Sequence, residues 1–249
     1  MDPVDPPDLP ARLPTFARAD EGRHPDAPVE AWWWWGCNVD PRAADTVGTA
    51  EDPDAGDGRI GVFVGFERRG DRFDYWAGLV REGHPYLYID ELDGTDLRAG
   101  LEIKPPQMWA DHVCDVPFAQ WSLGNEAHGV LLDDPTEAWG RAHGDLVPVT
   151  FDIEWYRAGD PVALDPGPGA HGYRQAGEVD VQIELTEGLL SFTGRAERVH
   201  VWGVPYVPRS FAMPNDQRGL RAPYRRSDGT KVDQVLTDAD RDARWWVSA

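Results

Sequence analysis

Three side chains near residue 200 carry the clearest chemical signal in the sequence. Arg198, His200 and Trp202 alternate with Val199 and Val201. Alternate residues of a β-strand share a face, so a guanidinium, an imidazole and an indole are expected on one face and two valines on the other. We interpret the polar face as lining an interior, with the valines packed outward on a second layer; the alternative is a polar face in solvent. His200 is then the candidate acid or base, since imidazole titrates near neutral pH.

Two carboxylates are candidates for the proton donor that such an imidazole would need. Asp111 stands beside His112, and Glu154 stands beside Trp155. Burial would raise the pKa of either carboxyl group toward neutrality, although each could equally be a hydrogen-bonded carboxylate at a strand end. Asp111, His112 and Cys114 include metal-ligand types, but one such cluster without a matching second pair predicts neither a metal site nor another cofactor.

Tryptophan is the unusual residue of this composition, with 12 in 249 residues. Aromatic side chains with a few convergent polar groups are typical of a pocket for a hydrophobic small molecule. The expected ligand-binding residues, indoles and histidines with one arginine, are Trp33, Trp35, Trp76, Trp109, His112, His171, Arg198 and Trp202.

The elements that must position these residues are predicted to be β-strands. Apolar residues alternate with polar or small ones over 60–66, 151–155 and 179–185, and 26 Gly and 22 Pro separate the segments. This pattern indicates an all-β antiparallel barrel or sandwich. The aromatic run that follows Glu30 is predicted to be a strand buried on both faces.

Three segments are expected along the chain. A Pro-rich arm covers 1–29, the β domain covers 30–203, and a mostly irregular tail covers 204–249. Thr237 followed by Asp240 resembles a capping box, so Asp238–Trp246 is predicted to form a short helix. Trp245 and Trp246 are expected to pack this tail onto the β domain.

The charge balance excludes several partners. With 24 basic and 44 acidic residues the net charge is 24 − 44 = −20, which disfavours nucleic acid and anionic lipid surfaces. No segment approaches the roughly 20 apolar residues of a membrane span, so membrane insertion is not expected. The first residues show no signal-peptide pattern, and a cytoplasmic location is the expectation.

Two stretches, 101–157 and 171–203, resemble a known family. The marks are Trp-Ala-Asp-His at 109–112, Leu-Asp-Asp-Pro at 132–135, and a strand pair that ends in His200-Val201-Trp202-Gly203. They are similar to the lipocalin-like superfamily of carotenoid 1,2-hydratase (hydroxyneurosporene synthase), and most similar to an actinobacterial branch of it. With the aromatic strand, the resemblance covers roughly residues 28–203.

The resemblance implies a lipocalin-like fold, usually of two domains, and redox-free chemistry on isoprenoid or related greasy molecules. It also implies that His200 and Trp202 belong to the site. Val199 and Val201 stand where the family has Asp and Ser, so the polar pair that should orient His200 is missing. Only 249 − 203 = 46 residues follow Gly203, so the family's second domain, with its proton-donating Asp, is expected to be missing.

Four functions therefore remain open. The first is binding of a hydrophobic small molecule (an isoprenoid, terpenoid or polyketide) in an aromatic-lined barrel cavity. The second is a cofactor-independent hydratase, isomerase or cyclase acting on such a molecule, with His200 as acid/base; a buried carboxylate within reach of His200 would favour it. The third is a carbohydrate-binding or glycoside-cleaving β-sandwich, with two carboxylates across a groove. The fourth is a partner subunit whose open sheet edge is covered by a homodimer or by the tail.

Overall fold

The computed structural model describes residues 16–38, 60–95, 98, 100–133, 137–138, 144–164 and 169–203, together with the backbone of three further strands within 220–248. One 3₁₀ helix, Arg18–Glu21, precedes the first strand. All other regular elements described are strands, which are β1 Val29–Cys37, β2 Ile60–Arg69, β3 Arg72–Arg81, β4 Tyr86–Gly94, β5 Met108–Val116, β6 Gln120–Leu132, β7 Asp145–Arg157, β8 Val162–Ala163, β9 Ala170–Leu185, β10 Gly188–Gly203, β11 Leu220–Arg225, β12 Lys231–Asp238 and β13 Trp245–Ser248.

Eight strands close into an antiparallel barrel. The pairing runs β1-β2-β3-β4-β6-β7-β9-β10, and β10 then pairs with β1 to complete the ring. The remaining strands before residue 204 add to this ring, since β5 pairs with β6 and β8 with β9. The all-β antiparallel barrel predicted from the sequence is therefore confirmed.

Strand alternation produces two separate apolar layers. In β1, Trp32 and Trp34 point into the barrel, whereas Trp33 belongs to a cluster on the outer face. Both sets are buried, as predicted for this aromatic strand. Inside, Trp34 packs on Trp121 and on His112 at ring-centroid distances of 5.2 and 5.5 Å. Eight strands enclose a space that side chains can fill, and here the inward side chains form one continuous core.

The C-terminal region differs from the prediction. The sequence predicted a short helix in a mostly irregular tail, whereas β11, β12 and β13 form a three-stranded antiparallel sheet. Asp238 ends β12 and Trp246 pairs with Thr237, so both ends of the predicted helix Asp238–Trp246 lie in strands. β-branched and aromatic residues favour strands, and here they outweigh the capping-box signal. The backbones of β11 and β13 approach β2, in keeping with a tail held against the barrel.

Candidate functional site

Residues 16–28, which we call the plug segment, close one end of the barrel ahead of β1. The backbone N–H of Ala17 donates to the Asp20 carboxylate at 2.7 Å and starts the 3₁₀ turn. The turn directs Glu21 inward, where its side chain is 1% exposed. At this end β1, β6 and β9 begin and β10 ends, so several strands contribute side chains around Glu21.

Glu21 anchors an inner polar network. Its carboxylate accepts hydrogen bonds from Trp121 Nε1 at 2.6 Å and from the Tyr173 hydroxyl at 2.9 Å, and it pairs with Arg198 Nη1 at 2.5 Å. Arg198 also donates to Gln175 Oε1 from Nη2 at 2.6 Å and from Nε at 3.1 Å. A buried guanidinium is tolerable only when paired in this way.

The charge states of the inner network follow from these contacts. Burial lowers the pKa of Arg198, but the charges and hydrogen bonds of Glu21 and Tyr173 together outweigh burial, and the net pKa is raised. Burial raises the pKa of Tyr173 well above its ordinary value, although Arg198 opposes this. Tyr173 therefore keeps its proton and donates it to Glu21, and its oxygen is left to accept from Arg198 Nη1 at 3.3 Å.

Glu30, the second residue of β1, is the centre of an outer network. One oxygen, Oε1, lies 2.7 Å from His24 Nδ1 and 3.0 Å from His200 Nε2. The backbone N–H of His24 reaches both carboxylate oxygens at 3.0 Å, and Arg68 Nη2 donates to Oε2 at 3.3 Å. Burial raises the pKa of Glu30, but the bonds from His200 and His24 outweigh it and lower the pKa to about 2. Glu30 is thus ionised at neutral pH.

His200 connects the two networks. Its Nδ1 lies 3.4 Å from the Tyr173 hydroxyl, while its ring stacks on Trp32 at a centroid distance of 4.6 Å. Burial lowers the pKa of His200, and the Glu30 charge only partly opposes this, so the imidazole is neutral. On the solvent side of His200, the ring of His24 stacks on the ring of Trp202, with a centroid distance of 4.1 Å and an angle of 5° between the rings. His24 is 22% exposed and forms the solvent side of the cluster.

The structure brings four sequence-predicted residues to this end. Arg198 and His200 point into the barrel, and Val199 and Val201 lie in the outer cluster, so the predicted division of β10 into two faces is confirmed. Trp202 is half-buried beside them, and the exposed His171 ring lies 6.2 Å from the Trp202 ring.

The other predicted ligand residues lie elsewhere. Trp33, Trp35 and Trp76 pack in the cluster on the outer face of the barrel, not in its interior. Trp109 lies on the outer face of β5 and donates from Nε1 to Glu102 at 3.3 Å. His112 points into the barrel but stacks on Trp34, and burial lowers its pKa to about 4. These residues do not line one cavity, because odd and even strand positions face opposite ways.

Neither predicted proton donor reaches His200. Alternation places Asp111 on the outer face of β5, opposite His112; partial burial and the nearby Glu102 raise its pKa. Glu154 is half-buried on the outer face of β7 and accepts hydrogen bonds from Ser122 Oγ at 2.8 Å and Gln120 Nε2 at 3.1 Å. The carboxylates that do lie near His200 are Glu30 and Glu21.

Sequence reasoning missed Glu21, His24, Glu30 and Tyr173. One signal could have found Glu30, because it shares the inward face of β1 with Trp32 and Trp34 and is the only charged residue of that strand. A charge at the inward end of a buried strand needs buried partners. Glu21 and His24 lie in a Pro-rich segment without periodicity, and no pattern there points to them.

The described part of the barrel interior is filled by its own side chains. A pocket of about 60 Å³ lies at the opposite end, where Arg81 donates to Glu187 at 3.0 Å above Leu87 and Leu185. Ligand pockets usually measure roughly 300 Å³ or more. This pocket alone is therefore too small for a larger ligand.

No protein-family model matches the chain, and no curated protein matches it. The lipocalin-like hydratase resemblance remains a prediction from the sequence. Within the described residues, no helix is long and apolar enough to cross a bilayer.

Proposed function

We propose that the protein performs non-redox acid–base chemistry on a hydrophobic small molecule at the plug end of the barrel. The observation that carries this proposal is Glu30, a fully buried and ionised carboxylate that shares one oxygen between His24 and His200. In this chain the segment that resembles the family motif has no carboxylate beside His200, because Val199 stands where the family has Asp. Glu30 supplies a carboxylate within reach of His200. It comes here from β1, the neighbouring strand.

His24 is the group that exchanges protons with the bound molecule. Glu30 accepts the Nδ1–H of His24, which leaves the Nε2 lone pair on the side away from Glu30, 3.8 Å from Asp20 Oδ1. This is the arrangement in which a carboxylate orients a histidine base. In its imidazolium form His24 can give the Nε2 proton to a carbon of a double bond, and the neutral ring can then take a proton back from a neighbouring carbon or from the water that adds to the cation. Glu30 stays ionised and stabilises the imidazolium that forms meanwhile.

The surroundings favour an apolar partner. His24 lies flat on Trp202, and Trp202 packs on a cluster formed by Phe16, Phe118 and Tyr173. Indole faces also stabilise a passing carbocation, which hydration or cyclisation of an isoprenoid would produce. The substrate class, an isoprenoid, terpenoid or polyketide, follows from the family resemblance.

The test is native mass spectrometry with chromatographic analysis of the released ligand. The purified protein is incubated with geranylgeraniol, squalene and lycopene, and compared with His24→Gln, Glu30→Gln and His200→Gln. His128→Gln, an exposed histidine on β6, is the matched control. We expect an isomer or a product heavier by one water from the wild type and the control, and none from His24→Gln.

Two outcomes contradict the proposal. If the wild type binds a probe and releases it unchanged, the protein is a carrier and the catalytic assignment fails. If none of the probes binds, the hydrophobic ligand class is wrong.

A further inference from the structure

The Glu30 cluster has the composition and geometry of a transition-metal site. His24 Nδ1, a carboxylate oxygen of Glu30 and His200 Nε2 all lie within 4.8 Å of one another. We propose that these three side chains bind one divalent transition-metal ion, with Zn²⁺ as the best match. Two imidazoles and one carboxylate are a common ligand set for Zn²⁺, with further coordination positions open for water or substrate.

The spacing of the donor atoms suits an ion. In a tetrahedral site, metal–ligand bonds of about 2.1 Å place neighbouring ligand atoms about 3.4 Å apart, slightly farther than the donor atoms lie here. Glu30 Oε1 lies 2.7 Å from His24 Nδ1 and 3.0 Å from His200 Nε2. An ion can therefore enter with small side-chain shifts. Arg68 occupies the other oxygen, Oε2, so Glu30 would bind through Oε1 alone.

Both imidazoles have an oxygen at the nitrogen that faces away from the ion. His200 Nδ1 meets the Tyr173 hydroxyl at 3.4 Å, and His24 Nε2 meets Asp20 Oδ1 at 3.8 Å. Such partners fix the tautomer of metal-binding histidines. When the ion binds, the proton of each ring moves from the nitrogen that faces Glu30 to the other ring nitrogen, which is Nδ1 in His200 and Nε2 in His24. Each imidazole therefore stays neutral and only changes its tautomer.

Tyr173 strengthens this assignment. It donates its own proton to Glu21, so toward His200 it is an acceptor and favours a proton on Nδ1. His200 Nε2 would then face the Glu30 carboxylate without a proton between them, and a cation at that point satisfies both atoms. With the proton on Nε2 instead, His200 donates to Glu30, and its Nδ1 and the Tyr173 oxygen lie 3.4 Å apart with no proton between them.

The charges nearby limit the affinity but do not prevent binding. Arg68 opposes a cation, whereas Glu30 itself and the Asp20 carboxylate favour it. The exposed edge of His24 gives the ion a path from solvent. The ligands come from the plug segment, β1 and β10, so the ion would also tie the plug segment to the barrel.

This inference uses the site of the proposed function and changes the base within it: with the ion bound, His24 Nε2 would carry a proton, and a water at the open position, whose pKa Zn²⁺ lowers, would act as the base instead. Its test needs no substrate. The metal-stripped full chain is titrated with Zn²⁺ by calorimetry and with Co²⁺ by visible absorption, for the wild type, His24→Gln, Glu30→Gln and His200→Gln. The exposed His128→Gln and His84→Gln, both away from the plug segment, are controls.

We expect one Zn²⁺ per chain, a Co²⁺ absorption band, and at least a tenfold loss of affinity in His24→Gln and His200→Gln but not in the controls. Slower hydrogen exchange of residues 16–28 on Zn²⁺ addition provides a second readout that does not depend on the variants. Absence of stoichiometric binding to the folded wild type, or binding that the controls weaken equally, overturns the metal site. Turnover by metal-stripped protein would leave the acid–base proposal standing even then.

Discussion

The buried charge of Glu30 holds the two histidines and Arg68 of the candidate site together. It is fully buried and its carboxylate is bonded by two histidines and Arg68. Replacing it by Gln leaves the Arg68 guanidinium, itself 4% exposed, without its anion. Breaking a buried pair in this way costs about 3 to 5 kcal/mol.

The corresponding prediction compares two Glu→Gln substitutions. Glu30→Gln is expected to lower the free energy of unfolding by about 3 to 5 kcal/mol in urea titrations. Glu187→Gln removes an ion pair to Arg81 in which the glutamate is 60% exposed, and it should cost less than about 1 kcal/mol. Equal small losses would show that the Glu30 network contributes little to stability.

His112 predicts a pH dependence. Burial lowers its pKa from 6.5 to about 4. Between these values the unfolded chain binds a proton that the folded chain does not, so stability is complete above pH 6.5 and falls as the pH drops toward 4. One proton corresponds to about 1.4 kcal/mol per pH unit.

We therefore expect His112→Phe, which keeps an aromatic ring against Trp34, to reduce the slope of unfolding free energy between pH 6.5 and 4 by up to about 1.4 kcal/mol per unit. His128→Gln, an exposed histidine, should leave the slope unchanged. The measurement is urea unfolding at a series of pH values. An unchanged slope in His112→Phe would mean that His112 is charged in the folded protein.

At the level of the strands, a glycine is needed where the indole of a neighbouring strand lies directly against the backbone and leaves no room for a Cβ. A Cβ at Gly177 of β9 would overlap the Trp155 ring, on which Arg198 lies at 4.7 Å. Gly159 offers a matched position, because a Cβ there would meet Ala176 at an ordinary 3.6 Å.

Gly177→Ala is accordingly expected to destabilise the protein by about 1 to 3 kcal/mol, since the indole or the strand must shift. Gly159→Ala should change stability by less than about 1 kcal/mol, because its Cβ has room. Thermal and urea unfolding of the two variants measure this difference. A neutral Gly177→Ala would mean that the Trp155 ring can move freely under Arg198.

The strands were the predictable part of this fold. Period-two alternation in β2, β7 and β9, and the paired faces of Arg198 and His200 against Val199, are local properties of the chain. The partner of His200 was not predictable, because Glu30 lies 170 positions away and meets it only through the register of β1 against β10. The prediction that Trp33, Trp35 and Trp76 line a cavity was wrong for a related reason. Composition does not say which face of a strand an indole occupies.

For the whole molecule, the closed ring of strands bears on whether a second subunit is needed to cover a sheet edge. Because β10 pairs with β1, neither of these terminal strands of the barrel offers the open edge that a covering subunit would need. The outer face is instead apolar, with Trp33, Phe63 and Trp76 buried there. The C-terminal sheet approaches β2, which carries Phe63.

Ending the chain after Gly203 should expose part of that outer cluster. We expect the truncated protein to bind a hydrophobic dye and to elute as oligomers in size-exclusion chromatography, whereas the full chain does neither, since large exposed apolar patches drive association. A truncated protein that stays monomeric and binds no dye would show that the C-terminal sheet does not cover this face.

The pairing of β1 with β10 also sets when the site can exist during synthesis. Glu30 belongs to the first barrel strand and His200 to the last, and they face each other only after the ring has closed. A nascent chain can therefore bring His24 and Arg68 to Glu30 early, but the bond to His200 has to wait until some 170 further residues have left the ribosome. The candidate site is thus completed only when β10 joins β1, and any fragment that lacks β10 lacks His200 and Arg198.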